Sequence, residues 1–208
     1  MSSYLQDFGI ARTSGGRAVK VFERLFPDIF AIECDRPSEY VGYCWEKYQT
    51  SAETSNALNG LIFEYLLATA LIRWKLLPLY IQARAAFVPN VDYDLLLYTD
   101  RLGPIALSAK TSLRERYKQA DLEAIALKYV HRRAQIHLIT LDAHEAASVK
   151  RKIQNGDVIG IDSVVVATEA DFDDLMGKLQ ELQFTRAPTV SVIKAQSIVT
   201  LDRIERRI

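Results

Sequence analysis

Apolar residues change their spacing along this chain, and the changes mark its elements. Residues 56–74 (NALNGLIFEYLLATALIRW) are apolar almost all round, which predicts a buried helix interrupted by one acid, Glu64. After Pro78, residues 79–87 (LYIQARAAF) read as a strand. Pro89-Asn90 marks a turn, and 91–98 (VDYDLLLY) reads as a second strand. Leu95-Leu96-Leu97 is apolar on both faces, so this strand is expected to be central. A turn from Thr99 to Pro104 leads to a short third strand over 105–109 (IALSA). A helix is predicted over 112–131, a strand over 135–141, and a helix over 143–154 stopped by Asn155-Gly156. A strand over 162–167 and a helix over 169–182 follow.

The ends carry weaker patterns. Residues 1–17 read as irregular, 18–32 as a short helix broken by Pro27, and 33–54 as a loop or an added lobe. The last 20 residues stay open apart from a basic helical end, LDRIERRI. The chain therefore divides into an irregular or helical extension over 1–55, a core over 56–184 and a C-terminal extension over 185–208. The order α-β-β-β-α-β-α-β-α predicts an α/β fold, with a mixed central β-sheet flanked by helices. The early strands are expected to pair antiparallel and the later ones to run parallel.

Composition narrows the partners only slightly. The 208 residues suffice for one well-buried core. With 26 basic and 26 acidic residues the chain has no net charge, so any affinity for nucleic acid must come from local patches. One such patch lies between 110 and 133, where seven Lys or Arg face three acids. Of these, Lys118, Lys128, Arg132 and Arg133 read equally as phosphate contacts or as a solvated face. Arg203, Arg206 and Arg207 make the tail basic. Cys34 and Cys44 have no Cys-x-x-Cys spacing, and the histidines at 131, 137 and 144 have no zinc-ligand pattern. A reducing, cytoplasmic compartment is expected. The N-terminus has no apolar leader, and no apolar run approaches the roughly 20 residues of a membrane span.

Candidate chemistry collects around the third strand. Asp92 and Asp94 are two apart on the second strand and so are expected on one face, as are Ser108 and Lys110 on the next. An aspartate entering a central strand needs a partner or a metal. Phosphodiester hydrolysis uses such parts: carboxylates to hold Mg²⁺, which clamps the phosphate and activates a water, and a lysine to steady developing charge. Taken singly, the same residues also read as an ordinary surface lysine and the polar side of a half-buried strand.

Asp94, followed on the next strand by Ser108-Ala109-Lys110, resembles the PD-(D/E)xK nuclease core. Serine stands where that motif carries its second acid. One branch of type II restriction endonucleases, which cuts sites built on CC/GG pairs, shares this departure. There a glutamate thirteen or fourteen residues after the lysine takes the acid's place, and here the thirteenth residue after Lys110 is Glu123. That branch also carries an Arg-Glu-Arg cluster that reads adjacent G·C pairs, matched here by Arg114-Glu115-Arg116, followed by Lys118 and Gln119. Arginine donates twice to guanine, and glutamate accepts from cytosine. Related enzymes place a further glutamate on the helix before the sheet, the position of Glu64. The resemblance covers about residues 56–140.

It implies a restriction-endonuclease-like core and Mg²⁺-dependent cleavage of double-stranded DNA at a palindromic site by a homodimer, with no membrane partner. Asp94 and Glu123 are expected to hold the metal, with Asp92 in reserve. Lys110, Ser108 and Glu64 are expected to complete the catalytic set. Ser112-x-x-Glu115 also spells a capping box, which would explain Glu115 without DNA. Glu64 equally suits a structural ion pair with Arg73 or Arg84. A helix starting at Ser112 would put Glu123 about 16 Å along its axis, so the chain must turn back before the helix begins. The alternatives are a structure-specific repair or junction nuclease on the same fold and a catalytically inactive DNA-binding module.

Overall fold

The computed structural model describes residues 3–188 and 193–206. Its centre is a six-stranded sheet in the order β5-β4-β3-β2-β1-β6. The strands are β1 (Leu79–Ala85), β2 (Tyr93–Thr99), β3 (Gly103–Lys110), β4 (Gln135–Thr140), β5 (Ser163–Val166) and β6 (Ile193–Val199). β1, β2 and β3 form an antiparallel meander, and β4 and β5 add in parallel to β3. The mixed sheet and its change of sense at β3 match the expectation from the sequence.

Helices cover both faces. On one side α4 (Asn56–Arg73) packs against Leu95, Leu97, Ile105 and Leu107, together with α2 (Arg17–Leu25), α3 (Pro37–Gln49) and α7 (Ala170–Gln180). On the other, α5 (Arg116–Val130) and α6 (Ala143–Gln154) cover Leu96, Ala106, Ile136 and Leu138. The Leu95-Leu96-Leu97 run therefore feeds both cores, as a central strand must. Among the described residues, no helix is long and apolar enough to cross a membrane.

Two readings of the ends are corrected, and the C-terminal stretch left open is filled. Residues 33–54 contain the thirteen-residue α3 rather than a loop. Pro37 sits at its start, where a missing N–H costs nothing, and Glu39 accepts the Arg36 backbone N–H. Its Tyr40, Val41, Cys44 and Tyr48 are buried against α4 in one shared core. The first residues include a short buried helix, α1 (Tyr4–Asp7), where Glu23 of α2 accepts from the Ser3 hydroxyl at 2.6 Å and the Leu5 N–H at 2.9 Å. The C-terminal stretch supplies β6, which pairs antiparallel with β1, before the basic helix α8 (Leu201–Glu205). Arg207 of the basic end lies outside the described residues. The two ends of the chain meet here: Ser197 donates to the Gly9 carbonyl, and Arg203 donates to the carbonyls of Asp7 and Gln6.

Candidate active site

The site begins where two strands part. The ladder between β2 and β3 runs from Thr99–Gly103 to Leu95–Leu107. Just beyond it, the Asp94 carboxylate does what a strand would otherwise do. Its Oδ2 accepts the Ala109 backbone N–H at 2.8 Å, the Lys110 ammonium at 2.7 Å and, more weakly, the Ser108 hydroxyl at 3.4 Å. Both charged side chains are largely enclosed, with 12% of Asp94 and 18% of Lys110 exposed. One carboxylate oxygen is thus fully used, while Oδ1 makes no hydrogen bond among the described residues. Ser108 is buried against Asp94 and acts as its neighbour across the fork.

Glu64 approaches from α4, and its partner is a residue the sequence did not single out. Gln82 donates to Glu64 Oε2 at 2.9 Å. Arg73 instead holds the carbonyls of Ile29 and Ile32, and Arg84 pairs with Asp92, so neither expected ion pair with Glu64 forms. Gln82 sits within β1 at φ 46°, a left-handed conformation that costs a non-glycine residue on the order of 1 kcal/mol. It falls between the Ile81–Leu95 and Ala83–Tyr93 pairs, opposite Asp94, and between Ile81–Ser197 and Ala83–Ala195, opposite Gln196. Polar residues on four adjacent strands therefore line up as Gln196, Gln82, Asp94 and Ser108.

Burial, reinforced by the negative charge of Asp94, pushes the Glu64 carboxyl up to about 7, against the opposing pull of Lys110 and Gln82. A carboxyl with a raised value binds its proton more tightly in the folded chain than in the unfolded one. Its stabilising contribution is complete below its ordinary value of 4.5 and is lost as pH rises through about 7. Denaturation midpoints measured from pH 5 to 8 should therefore fall for the native sequence relative to Glu64→Gln. Parallel curves for the two proteins would contradict this assignment.

The turn after Lys110 brings Glu123 back. α5 starts at Arg116, four residues later than its apolar pattern suggests, and residues 111–115 reverse the chain. Glu145 of α6 clamps this turn by accepting the Leu113 N–H at 2.5 Å and the Ser112 hydroxyl at 3.4 Å. Ser112 is thus not a helix cap, and the capping-box reading of Glu115 is corrected. Because β4 runs parallel to β3, the intervening α5 returns alongside β3, and Glu123 lies only about 10 Å along it. The Tyr93 hydroxyl donates to the Glu123 carbonyl at 3.0 Å and ties the helix to the start of β2. Burial raises the Glu123 carboxyl; Gln119, which donates to it at 2.7 Å, and the charge of Lys110 oppose that rise, while Asp94 adds to it. Glu64 and Glu123, on opposite faces of the sheet, thus share the field of one Asp94–Lys110 pair.

The remaining candidates divide. Asp92 precedes β2 and does not share the Asp94 setting: Arg84 takes both of its oxygens, at 2.5 and 2.9 Å, and holds its carboxyl below the usual range. Arg114, Glu115, Arg116, Lys118 and Gln119 are all exposed on the turn and first turn of α5, beside the end of β3. Glu115 pairs with Lys118 at 2.5 Å, and Arg114 reaches Glu145 at only 3.9 Å while 86% exposed.

The side chains that could hold a cation here are all oxygen donors, the kind a hard divalent ion takes. Asp94 Oδ1 is open, and Glu64 and Glu123 are carboxyls whose charged forms lack enough positive charge. Among the described residues, no group of three or more His, Cys, Asp or Glu converges as a ready-made cage. Mg²⁺ characteristically uses one or two carboxylates together with waters and substrate phosphate, and Asp94, Glu64 and Glu123 are the residues here that could offer them.

No protein-family model and no curated protein matches this chain. Among solved structures, the restriction endonuclease PspGI in its complex with substrate DNA is similar, with a TM-score of 0.56 and 14% sequence identity. The match covers 90% of this chain and 86% of that one. At that identity the likeness is one of fold: the chain has an α/β restriction-endonuclease-like fold, with a mixed six-stranded sheet between helices.

Proposed function

We propose that this protein is a type II site-specific deoxyribonuclease. It binds double-stranded DNA as a homodimer and hydrolyses it with Mg²⁺ at a palindromic site containing adjacent G·C pairs. The observation that carries this reading is the Asp94–Lys110 pair in the fork between β2 and β3, with Glu64 and Glu123 brought to it from opposite layers. The fold likeness to an endonuclease captured on its substrate DNA supports the choice of polymer.

Bound Mg²⁺ would neutralise phosphate charge and lower the pKa of water at the site. Asp94, through Oδ1, and Glu123 are the proposed ligands, with Glu64 completing the acidic set. The chain's own part is positioning. Asp94 fixes the Lys110 ammonium at 2.7 Å, so that its remaining protons can orient the attacking water and face the charge that develops on the phosphate. Ser108 and the Ala109 N–H keep Asp94 from rotating away. Arg114, Glu115 and Arg116 are proposed to read base edges, with Lys118 and Gln119 flanking them. Each is exposed, as a reader of the major groove must be. A two-fold palindrome calls for two copies related by two-fold symmetry.

The test is digestion of plasmid DNA with Mg²⁺. Discrete fragments support the proposal, and their ends give the site. Cleavage of branched but not plain duplex would identify a structure-specific nuclease instead, and binding without any cleavage an inactive module. Arg116→Ala should relax or abolish site preference at unchanged salt dependence; a change in salt dependence alone would make Arg116 a phosphate contact. Asp92→Ala should keep cleavage within about threefold of the native rate, since Arg84 already occupies that carboxylate and exposed ion pairs contribute little. A loss as large as that of Asp94→Asn would return Asp92 to the metal site.

A further inference from the structure

A cleft of about 550 Å³ is lined by Glu64, Gln82 and Asp94 and also by the N-terminal segment, through Ile10 to Thr13 and Gly16. This N-terminal segment had no assignment from its sequence, yet it is firmly placed. The N–H groups of Ile10 and Ala11 donate to the Leu5 carbonyl at 2.8 and 3.0 Å, and Gln6 donates to the Arg12 carbonyl at 3.3 Å. Ile10 and Ala11 are buried, so Arg12 stands where the chain leaves the core. Its side chain is exposed and makes no hydrogen bond or ion pair among the described residues. The charge it does reach is that of Asp92, which Arg84 already holds.

Arg12 also borders a second cleft, of about 410 Å³, with Gln196 and Arg203. The two clefts share Ala11, Arg12 and Gln196, so one groove leads from the acidic centre past Arg12 to Arg203. Acid lies at one end and cation at the other. A cation without an ion-pair partner among the described residues, lining the same cleft as Glu64 and Asp94, is suited to a ligand whose own charges alternate with bound metal. A polynucleotide backbone is such a ligand: one phosphate sits at the acidic end with its cation, and the next needs positive charge from the protein.

Resting on the nuclease reading above, we propose that Arg12 is a positioning residue that holds a backbone phosphate neighbouring the one hydrolysed. The N-terminal segment is then the outer wall of a DNA-strand groove.

The experiment titrates the full chain with a mixed-sequence duplex oligonucleotide in EDTA, so that nothing is cut, over a series of salt concentrations. The native protein is compared with Arg12→Ala and Arg12→Lys. Losing one phosphate contact should reduce the slope of log affinity against log salt by about 1, with affinity lowered equally for all sequences. Arg12→Lys should restore the slope, and thermal melting should be unchanged in both variants because the side chain makes no hydrogen bond or ion pair among the described residues. If the native chain binds duplex DNA and Arg12→Ala gives the same slope and affinity, the assignment of Arg12 falls while the nuclease reading stands. If the native chain shows no salt-dependent binding to duplex DNA, the nuclease reading fails and takes this inference with it.

Discussion

Lys110→Ala should slow cleavage by about 100- to 1,000-fold while leaving a folded protein that still binds DNA. The ammonium sits at the end of β3 with one hydrogen-bond partner among the described residues, Asp94 Oδ2 at 2.7 Å. Removing it does not strand Asp94, which keeps the Ala109 N–H at 2.8 Å and the Ser108 hydroxyl. The stability cost should therefore be about 1–3 kcal/mol, between that of an exposed pair and that of a fully buried one. The rate should suffer far more. Deleting one positioned donor at a developing oxyanion costs about 100- to 1,000-fold. Lys110→Arg should not rescue it, because a planar fork does not occupy the place of a compact ammonium. Nicking rates on supercoiled plasmid, with duplex affinity measured in parallel, separate the two effects. Cleavage by Lys110→Ala at the native rate would remove Lys110 from the mechanism altogether.

The second large effect is expected far from Lys110. A Cβ built on Gly160 would lie 2.5 Å from the Asp121 carbonyl oxygen, 2.8 Å from the Ile125 nitrogen and 2.9 Å from the Ala124 Cβ. All three belong to α5, and two are backbone atoms, so no side chain can swing aside. Asp121 tightens the contact by accepting the Gly160 N–H at 2.6 Å and the Ile161 N–H at 3.3 Å. Gly160→Ala should destabilise the chain by about 2–3 kcal/mol, a fall in Tm of roughly 4–12 °C for a chain of this length. α5 carries Glu123, so its displacement should also slow cleavage at temperatures where the variant remains folded. Gly177→Ala is the control. Nothing lies within 4 Å of its Cβ position, and it sits inside α7, where alanine stabilises a helix by up to about 1 kcal/mol. Equal melting temperatures for the two variants would show that the loop before β5 yields freely to α5.

The elements legible in the sequence were those with a strong period. α4 is apolar all round, β2 and β3 carry runs that feed both cores, and α5 to α7 alternate cleanly with β4 and β5. What escaped was apolar surface supplied by residues that read as polar. Tyr40, Cys44 and Tyr48 recur every four residues and are buried in α3, but their neighbours in PSEYVGYCWEKYQ are charged, small or aromatic. β6 (IKAQSIV) alternates too weakly to announce a strand, and its pairing with β1 is a contact more than a hundred residues away in sequence.

The candidate site follows the same division. Asp94 and Lys110 were legible because strand geometry fixes what spacing can do. Gln82 was not, because neither its left-handed backbone nor its place opposite Asp94 has a signature in LYIQARA. The turn that returns Glu123 to the centre depends on Glu145, 32 residues beyond Leu113. Ser112 and Glu115 had the right letters for a cap, but the long-range carboxylate of Glu145 takes the Ser112 hydroxyl and the Leu113 N–H instead. Arg12 reaches the cleft only because the first and last parts of the chain pack together there.

The fork between β2 and β3 also provides a spectroscopic handle. Asp94 substitutes its side chain for a strand partner at the Ala109 N–H, so that one amide is wired directly to the carboxylate proposed for catalysis. Its nitrogen shift and its exchange with solvent deuterium should register any event that draws on Asp94, whether cation, substrate or substitution of Lys110. The protein thus carries its own reporter, readable without a label at the site and without a single bond in DNA being broken.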